Sequence, residues 1–355
     1  MIIDELEKAA DLLEAGKAGA ARRLLEGLRR PKGFEGRWHY LLGEARRLKG
    51  EFRPAISSYA SALSAGLPAA EFFCQTLINT AACHRALGME KQAFAFASAA
   101  VKAAARSSVL KPEAELELAM SYRLMGDFRK AGTMLNRLLK SYLRGGDHAA
   151  ASFILWALGG LYRLEGRYRG SITAFKAAES HARKAGDASA RGYALFGLGG
   201  VSRVAGFMAP AEAAYVKARK LFRGTEDSFA KAYAECGLAN VLRQRGELDP
   251  ALAGYLRARG RYSEIGDKPD LGFVEWGLGE IYKKKGEFRA AMACFKRAAR
   301  LFSGNAEFRG EVLTEISIAQ VHYLQGRTAK ADAEYFRALR KARKHRLHTY
   351  LESFT

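Results

Sequence analysis

A glycine that recurs at a nearly constant interval is the feature of this 355-residue sequence that most restricts its fold. Successive members are separated by 34, 38 and 38 residues and then five times by 40 residues. A period of roughly 20 to 50 residues is typical of chains that stack copies of one small unit. The series comprises Gly16, Gly50, Gly88, Gly126, Gly166, Gly206, Gly246, Gly286 and Gly326.

The residues around each series glycine recur with it. Gly or Ala lies seven residues upstream, Ala or Ser lies five residues downstream, and an aromatic residue is common nine residues downstream (Tyr59, Phe175, Tyr215, Tyr255, Phe295 and Tyr335). Glycine reaches the left-handed conformation that ends many helices, and small residues let two helices approach closely. Each unit is therefore predicted to be a hairpin of two helices joined at the glycine, with the aromatic residue packed beside the small ones.

Composition supports a folded helical chain that carries excess positive charge. Only 28 residues are Val, Ile or Thr, too few for a sheet protein, and the 49% hydrophobic content excludes wholesale disorder. The formal net charge of +21 favours an anionic partner. The four cysteines form no CxxC pair, so free thiols are expected. Because the sequence shows neither a signal-peptide pattern nor an apolar stretch of about 20 residues, we expect a cytoplasmic protein without a membrane span.

Two segments carry a recognisable form of the repeat. Leu158 to Ala178 contains Gly159, Tyr162, Gly166, Tyr168, Ser171 and Phe175, and Leu278 to Ala298 contains Gly279, Tyr282, Gly286, Phe288, Ala291 and Phe295. This pattern resembles the tetratricopeptide repeat, and the 40-residue period is similar to the long-repeat class that includes Pins-type polarity adaptors and kinesin light chains. The resemblance covers nearly the whole chain. It implies an all-α, right-handed superhelical solenoid of about nine hairpins, whose first helices line a concave groove.

The resemblance leads us to expect a single solenoid over residues 1–348 and a C-terminal tail over residues 349–355. Two positions depart from the family pattern. The large apolar residue usual in the first helix is replaced by Glu5, Glu115, Glu235, Glu275 and Glu315, and the groove asparagine of Pins-type repeats is replaced by Ala157, Gly197, Gly237 and Gly277. The identity of the ligand therefore cannot be inferred from that family. Glutamates that faced the groove would also neutralise part of its positive charge.

A cation lies three residues before the series glycine in seven consecutive units. These residues are Arg47, Arg85, Arg123, Arg163, Arg203, Arg243 and Lys283. A cation at this place stabilises the C-terminal end of a helix through its dipole. A row of cations on one face would equally bind an acidic ligand. Both interpretations stay open from the sequence.

Aromatic and small residues lie on the same predicted face of units 5 to 8. Glycines inside these helices either allow close packing of neighbouring helices or leave room for another chain, because each costs roughly 1 kcal/mol relative to alanine. The predicted ligand-binding residues are Arg85, Arg123, Phe153, Trp156, Arg163, Tyr193, Phe196, Arg203, Tyr233, Asn240, Arg243, Phe273, Trp276 and Lys283.

The sequence contains no phosphate-binding loop, zinc motif or nucleophile constellation, so we predict no catalytic, metal-binding or cofactor-binding residues. The favoured function is a non-enzymatic scaffold that binds an acidic, extended or helical protein segment in a basic groove lined with aromatic residues. Two alternatives remain: a solenoid that binds single-stranded RNA, whose phosphates and bases also suit cations and aromatic faces, and a regulatory or sensor array. A monomer is expected because the basic last helix would repel a second copy.

Overall fold

A computed structural model of the chain describes residues 2–28, 31–107, 109–223, 227–304, 307–345 and 347. Within these residues the chain forms eighteen helices and no strand, which confirms the all-α prediction. None of these helices is long and apolar enough to span a membrane. In chain order the helices are α1 (Ile2–Glu14), α2 (Ala18–Gly27), α3 (Glu35–Leu48), α4 (Phe52–Ala65), α5 (Ala70–Ala86), α6 (Glu90–Ala103), α7 (Leu110–Leu124), α8 (Phe128–Arg144), α9 (His148–Leu164), α10 (Tyr168–Lys184), α11 (Ala188–Val204), α12 (Met208–Phe222), α13 (Ser228–Arg245), α14 (Leu248–Ile265), α15 (Lys268–Lys284), α16 (Phe288–Ser303), α17 (Phe308–Leu324) and α18 (Thr328–Lys344).

Each series glycine joins the two helices of one pair. All nine have a positive φ, between 69° and 84°, which side chains with a Cβ rarely adopt. At Gly166 the N–H groups of Gly166 and Arg167 donate to the carbonyls of Arg163 and Tyr162, which closes α9 in a Schellman-type turn. The predicted tandem series of helical hairpins is therefore confirmed.

Aspartates begin several first helices. The side chains of Asp147, Asp187 and Asp267 each accept a hydrogen bond from the N–H group three residues later. Such a cap satisfies an N–H group that otherwise lacks an intrahelical partner. The boundaries between successive hairpins in this part of the chain are therefore fixed by the sequence itself.

The chain divides into two compact units, a first unit of residues 1–141 and a second unit of residues 142–355. The second unit contains α9 to α18, and its consecutive helices pack on one another. Leu347 contacts the core of its last hairpin, which includes Val312, Ala338 and Ala342. The predicted tail, residues 349–355, lies outside the described residues.

Packing between successive hairpins of the second unit depends on an aromatic ring placed between two glycines. A Cβ added at Gly199 would lie 2.9 Å from the ring of Tyr215, which belongs to the second helix of the same hairpin. A Cβ added at Gly237, in the first helix of the next hairpin, would lie 2.2 Å from the same ring. Phe175 occupies the equivalent place between Gly159 and Gly197. These glycines therefore make room for a ring of the protein, and the structure supports the close-packing interpretation.

Four of the five glutamates that replace the usual apolar residue pair with the second helix of their own hairpin. Three pairs have the same spacing of 22 residues, and Glu315 pairs with Lys341. The three pairs, with their N–O distances, are Arg137–Glu115 at 3.0 Å, Arg257–Glu235 at 2.8 Å and Arg297–Glu275 at 2.8 Å. Because these carboxylates are held by the second helices, they do not pair with the cations at the ends of the first helices.

The ring contacts predict opposite effects for two glycine-to-alanine substitutions. Both Gly237→Ala and Gly260→Ala replace a glycine inside a helix, so both gain roughly 1 kcal/mol of helix propensity. A Cβ at Gly260 meets no atom within 4 Å, so this variant should be more stable than the wild type. The Gly237→Ala variant should be less stable than the wild type by about 1–3 kcal/mol, because its Cβ collides with Tyr215. Urea unfolding measures the free energy of unfolding of each variant. Equal stabilisation by the two substitutions would contradict the packing account.

Candidate functional site

A cavity of about 180 Å³ lies among the first helices of the second unit, and we call it the first-helix cavity. Its walls include side chains from α9, α11, α13, α15 and α17. The lining residues that bear on ligand binding are Arg163, Arg203, Tyr233, Asn240, Asp270, Phe273, Trp276, Arg309 and Leu313. Six of these nine belong to the predicted ligand-binding set of fourteen residues, so the structure brings six of the predicted residues together.

Two cations of the predicted series line the first-helix cavity. The guanidinium of Arg163 extends from α9 to α11, because its Nη1 lies 3.6 Å from the place of a Cβ on Gly200. Its Nε is buried and has no hydrogen-bond partner among the described residues. Arg203 lines the same cavity one hairpin further along. A buried N–H group without an acceptor is costly.

The cations of the first unit have protein partners. The Arg47 guanidinium donates to the Glu44 carboxylate, with Nη2–Oε2 2.7 Å, within the same helix. The Arg85 Nε donates to Glu117 of the following first helix at 2.7 Å. Arg123 lies half-buried in the last turn of α7. Arg47 and Arg85 therefore serve contacts within and between the hairpins.

The last two cations of the series are also held by the protein. Arg243 is only 6% exposed, its Nε donates to the Tyr255 hydroxyl at 3.2 Å, and its guanidinium lies 5.0 Å from the centre of the Trp276 ring. The Lys283 ammonium pairs with Glu280 at 2.8 Å. Arg243 is thus enclosed between hairpins rather than offered to a ligand, which corrects the expectation for this residue.

The predicted aromatic residues separate into buried and accessible ones. Phe196 is 3% exposed and packs in the core with Phe222 and Tyr215. It is therefore not a face for a ligand, because its ring fills the space between two hairpins. Trp276 is 6% exposed, and its Nε1 donates to the Ser317 hydroxyl at 2.9 Å, although one part of the ring lines the cavity.

The remaining predicted residues are more accessible or have polar partners. Phe153 is 44% exposed beside the half-buried Trp156. The Tyr193 hydroxyl donates to the Asp227 carboxylate at 3.0 Å. The Asn240 Oδ1 accepts from the Tyr255 hydroxyl at 2.9 Å, and the Asn240 Nδ2 donates to a backbone carbonyl of its own helix. Tyr233 and Phe273 are half-buried and line the cavity.

Asp270 is a cavity residue that the sequence reasoning missed. Its backbone N–H donates to the Asp267 carboxylate at 3.1 Å, in the first turn of α15. Burial raises the pKa of Asp270 to about 7, with a further increase from the negative charge of Asp267, whereas Tyr262 and Arg309 oppose this shift. The repeat contains a signal that could have identified it. The equivalent residue of the other hairpins in the second unit is Ala150, Ala190, Ala230 or Gly310.

Stability of the second unit should therefore depend on pH through Asp270. The pKa of this carboxyl group is higher in the folded chain than in the unfolded chain, where it is about 3.9. The native form then binds more protons between about pH 4 and pH 7, so stability falls as pH rises through this window. The Asp270→Asn variant cannot lose this proton. Its stability relative to the wild type should increase by about 1–3 kcal/mol from pH 4 to pH 8.

Urea unfolding at pH 4.5 and pH 8 measures this difference. The Glu264→Gln variant is the matched control, because its exposed carboxylate lies on the adjacent α14. If the difference in free energy of unfolding between wild type and Asp270→Asn does not change with pH, the assigned environment of Asp270 is contradicted.

Solved structures of low sequence identity share this fold. A Rap protein crystallised with competence and sporulation factor is 15% identical, with a TM-score of 0.71 over 97% of this chain and 98% of that one. The quorum sensor NprR from B. thuringiensis, in its apo form, is 12% identical, with a TM-score of 0.65 over 96% and 98%. The Rap conjugation gene regulator of plasmid pLS20, in complex with the Phr* peptide, is 16% identical, with a TM-score of 0.63 over 86% and 95%. No curated protein sequence matches the chain.

The sequence itself matches a known repeat family. The profile of the tetratricopeptide repeat matches residues 112–184 and 230–304. These two segments include both stretches whose residues carry the resemblance, and the series glycines between and around them form the same turns. The chain therefore contains tetratricopeptide repeats over residues 112–184 and 230–304.

Proposed function

We propose that the chain is a non-enzymatic binding scaffold whose second unit binds an acidic segment of another protein or a peptide at the first-helix cavity. The observation that carries this proposal is the contrast between the cations of the series. Arg163 and Arg203 line a cavity, whereas Arg243 and Lys283 are engaged by Tyr255, Trp276 and Glu280. The Arg163 Nε has no hydrogen-bond partner among the described residues, so a ligand carboxylate beside Arg163 would supply the acceptor that this group lacks.

The size of the cavity favours a side-chain anchor over a small-molecule substrate. Sites that enclose drug-sized molecules have volumes of roughly 300–1,000 Å³. The first-helix cavity, at about 180 Å³, accommodates one side chain of a longer ligand. Two of the structures with a similar fold contain a factor or peptide ligand, which supports a peptide as the ligand class. A regulatory or sensor role is one use of such a site.

The single-stranded RNA alternative loses part of its support. Base stacking on a protein needs exposed aromatic faces. Phe196, one of the predicted faces, is 3% exposed and packs in the core. RNA binding through the cations alone would depend steeply on salt concentration, because each phosphate contact releases counterions.

Selection of peptides from a displayed random library against the full chain tests the proposal. Selected peptides should be enriched in Asp and Glu, and a double reversal, Arg163→Glu with Arg203→Glu, should weaken their binding at least tenfold. The reversal replaces attraction by repulsion at the only two series cations that line the cavity within the described residues. The matched control, Lys176→Glu with Lys217→Glu, changes the net charge equally on exposed positions of α10 and α12.

Equal loss of binding in both double variants would show that only the net charge matters and would contradict the proposal. Circular dichroism and thermal unfolding establish that each variant is folded. Binding of labelled poly(U) to the same variants is the second measurement. Tighter binding of poly(U) than of every selected peptide, with a steep salt dependence, would favour the RNA alternative.

A further inference from the structure

We propose that the first-helix cavity accepts an aromatic ring that carries a carboxylate, and that Asp270 takes up a proton when this group binds. The inference deepens the proposed function and rests on it, because the ring and carboxylate would be the anchoring part of the acidic ligand. In a peptide this group is a Phe or Tyr with a carboxylate beside it. Phenylacetate is its smallest form.

The carboxylate belongs beside Arg163 and Arg203. The Arg163 Nε is buried without a hydrogen-bond partner among the described residues, so it lacks the acceptor that a carboxylate oxygen supplies. Burial raises the pKa of the Tyr233 hydroxyl, the charges of Arg163 and Arg203 oppose that shift, and the charge of Asp270 adds to it, so all three groups lie near this hydroxyl. A ligand carboxylate beside the two guanidinium groups is therefore also close enough to Asp270 to affect its ionisation.

The ring belongs in the middle of the cavity. Tyr233, Phe273, Trp276 and Leu313 supply aromatic and aliphatic walls. An apolar cavity of about 150 Å³ in another protein is large enough to bind benzene. The first-helix cavity, at about 180 Å³, has room for a ring with one short substituent.

Asp270 lines the same cavity, among several titratable and charged groups. Asp267 faces it from α15, Tyr262 from α14, and Tyr233 and Cys236 from α13. Arg309 and Glu307 face it from the start of α17. Burial and Asp267 raise the pKa of Asp270 to about 7, so the free protein exchanges this proton close to neutral pH.

Binding of the ring and its carboxylate raises the pKa of Asp270 further. The ring displaces water from the carboxyl group, and the ligand adds a second negative charge to the cavity, so both effects disfavour the ionised form. Above pH 7 the free protein has lost the proton that the complex retains. Affinity for the carboxylate should therefore fall, by up to tenfold for each pH unit, as pH rises above 7.

Binding of an organic cation in the same cavity would have the opposite pH dependence. An acidic side chain surrounded by aromatic rings can bind an organic cation. In that case Asp270 would have to be ionised, and affinity would rise with pH. We favour the carboxylate because three arginines, Arg163, Arg203 and Arg309, line the same cavity.

Isothermal titration calorimetry with three ligands of similar size separates these assignments. The ligands are phenylacetate, 2-phenylethylamine and 2-phenylethanol, titrated into the full chain at pH 6, 7 and 8. Phenylacetate should bind most tightly at pH 6 and weaken about tenfold by pH 8. Buffers of different ionisation enthalpy should reveal proton uptake of up to one proton per site at pH 8.

Three variants assign these effects to residues. Asp270→Asn mimics the protonated acid, so it should bind phenylacetate equally at pH 6 and pH 8 and take up no proton. Arg163→Gln should weaken phenylacetate binding at least tenfold at every pH. The Glu264→Gln control, on the exposed side of α14, should behave as the wild type.

Tighter binding of 2-phenylethylamine than of phenylacetate, with loss in Asp270→Asn, would overturn the inference. Absence of phenylacetate binding would also overturn it, whereas the proposed function would stand if selected peptides still depended on Arg163 and Arg203. Proton-linked phenylacetate binding without any selected peptide would support the cavity chemistry and contradict the peptide scaffold.

Discussion

The contact of one aromatic ring with two glycines is the constraint on which the second unit depends. Tyr215 lies against Gly199 of its own hairpin and against Gly237 of the next, so a single side chain sets the spacing of two first helices. A larger residue at either glycine would occupy the volume of the ring. Because close-packed interiors transmit such a change to neighbouring groups, the repeat tolerates little variation at these positions. The glycine period therefore reflects close packing between helices as well as the turns between them.

Polar side chains at the ends of the first helices complete these contacts. Arg243 donates to Tyr255, the ring equivalent to Tyr215 one hairpin further along, and stacks on Trp276 of the next first helix. Arg163 and Arg203 occupy the same place in their hairpins but line a cavity. One position of the repeat therefore has two environments: it is enclosed between hairpins at Arg243 and lines a cavity at Arg163 and Arg203. We proposed a ligand at this cavity because the buried Arg163 Nε has no hydrogen-bond partner among the described residues.

The sequence predicted the features that repeat and missed those that do not. Local rules are sufficient for Gly166, since a left-handed turn at the end of a helix needs only neighbouring residues. Burial of Phe196 could not be predicted, because it depends on Phe222 and Tyr233 from other helices of the stack. Asp270 was missed for the same reason. A single residue that departs from the repeat carries no periodic signal, although its departure from alanine is visible once the hairpins are aligned.

Nuclear magnetic resonance of the arginine Nε–Hε groups tests the central claim most directly. The claim is that a bound ligand contacts Arg163 and Arg203, whereas Arg243 keeps its contacts with Tyr255 and Trp276. Lysine substitutions at single arginines assign the signals, and a selected acidic peptide is then titrated into the full chain. We expect the Arg163 and Arg203 signals to shift with the same saturation curve while the Arg243 signal stays in place. Shifts confined to Arg243, or spread equally over arginines outside the first-helix cavity, would contradict the account.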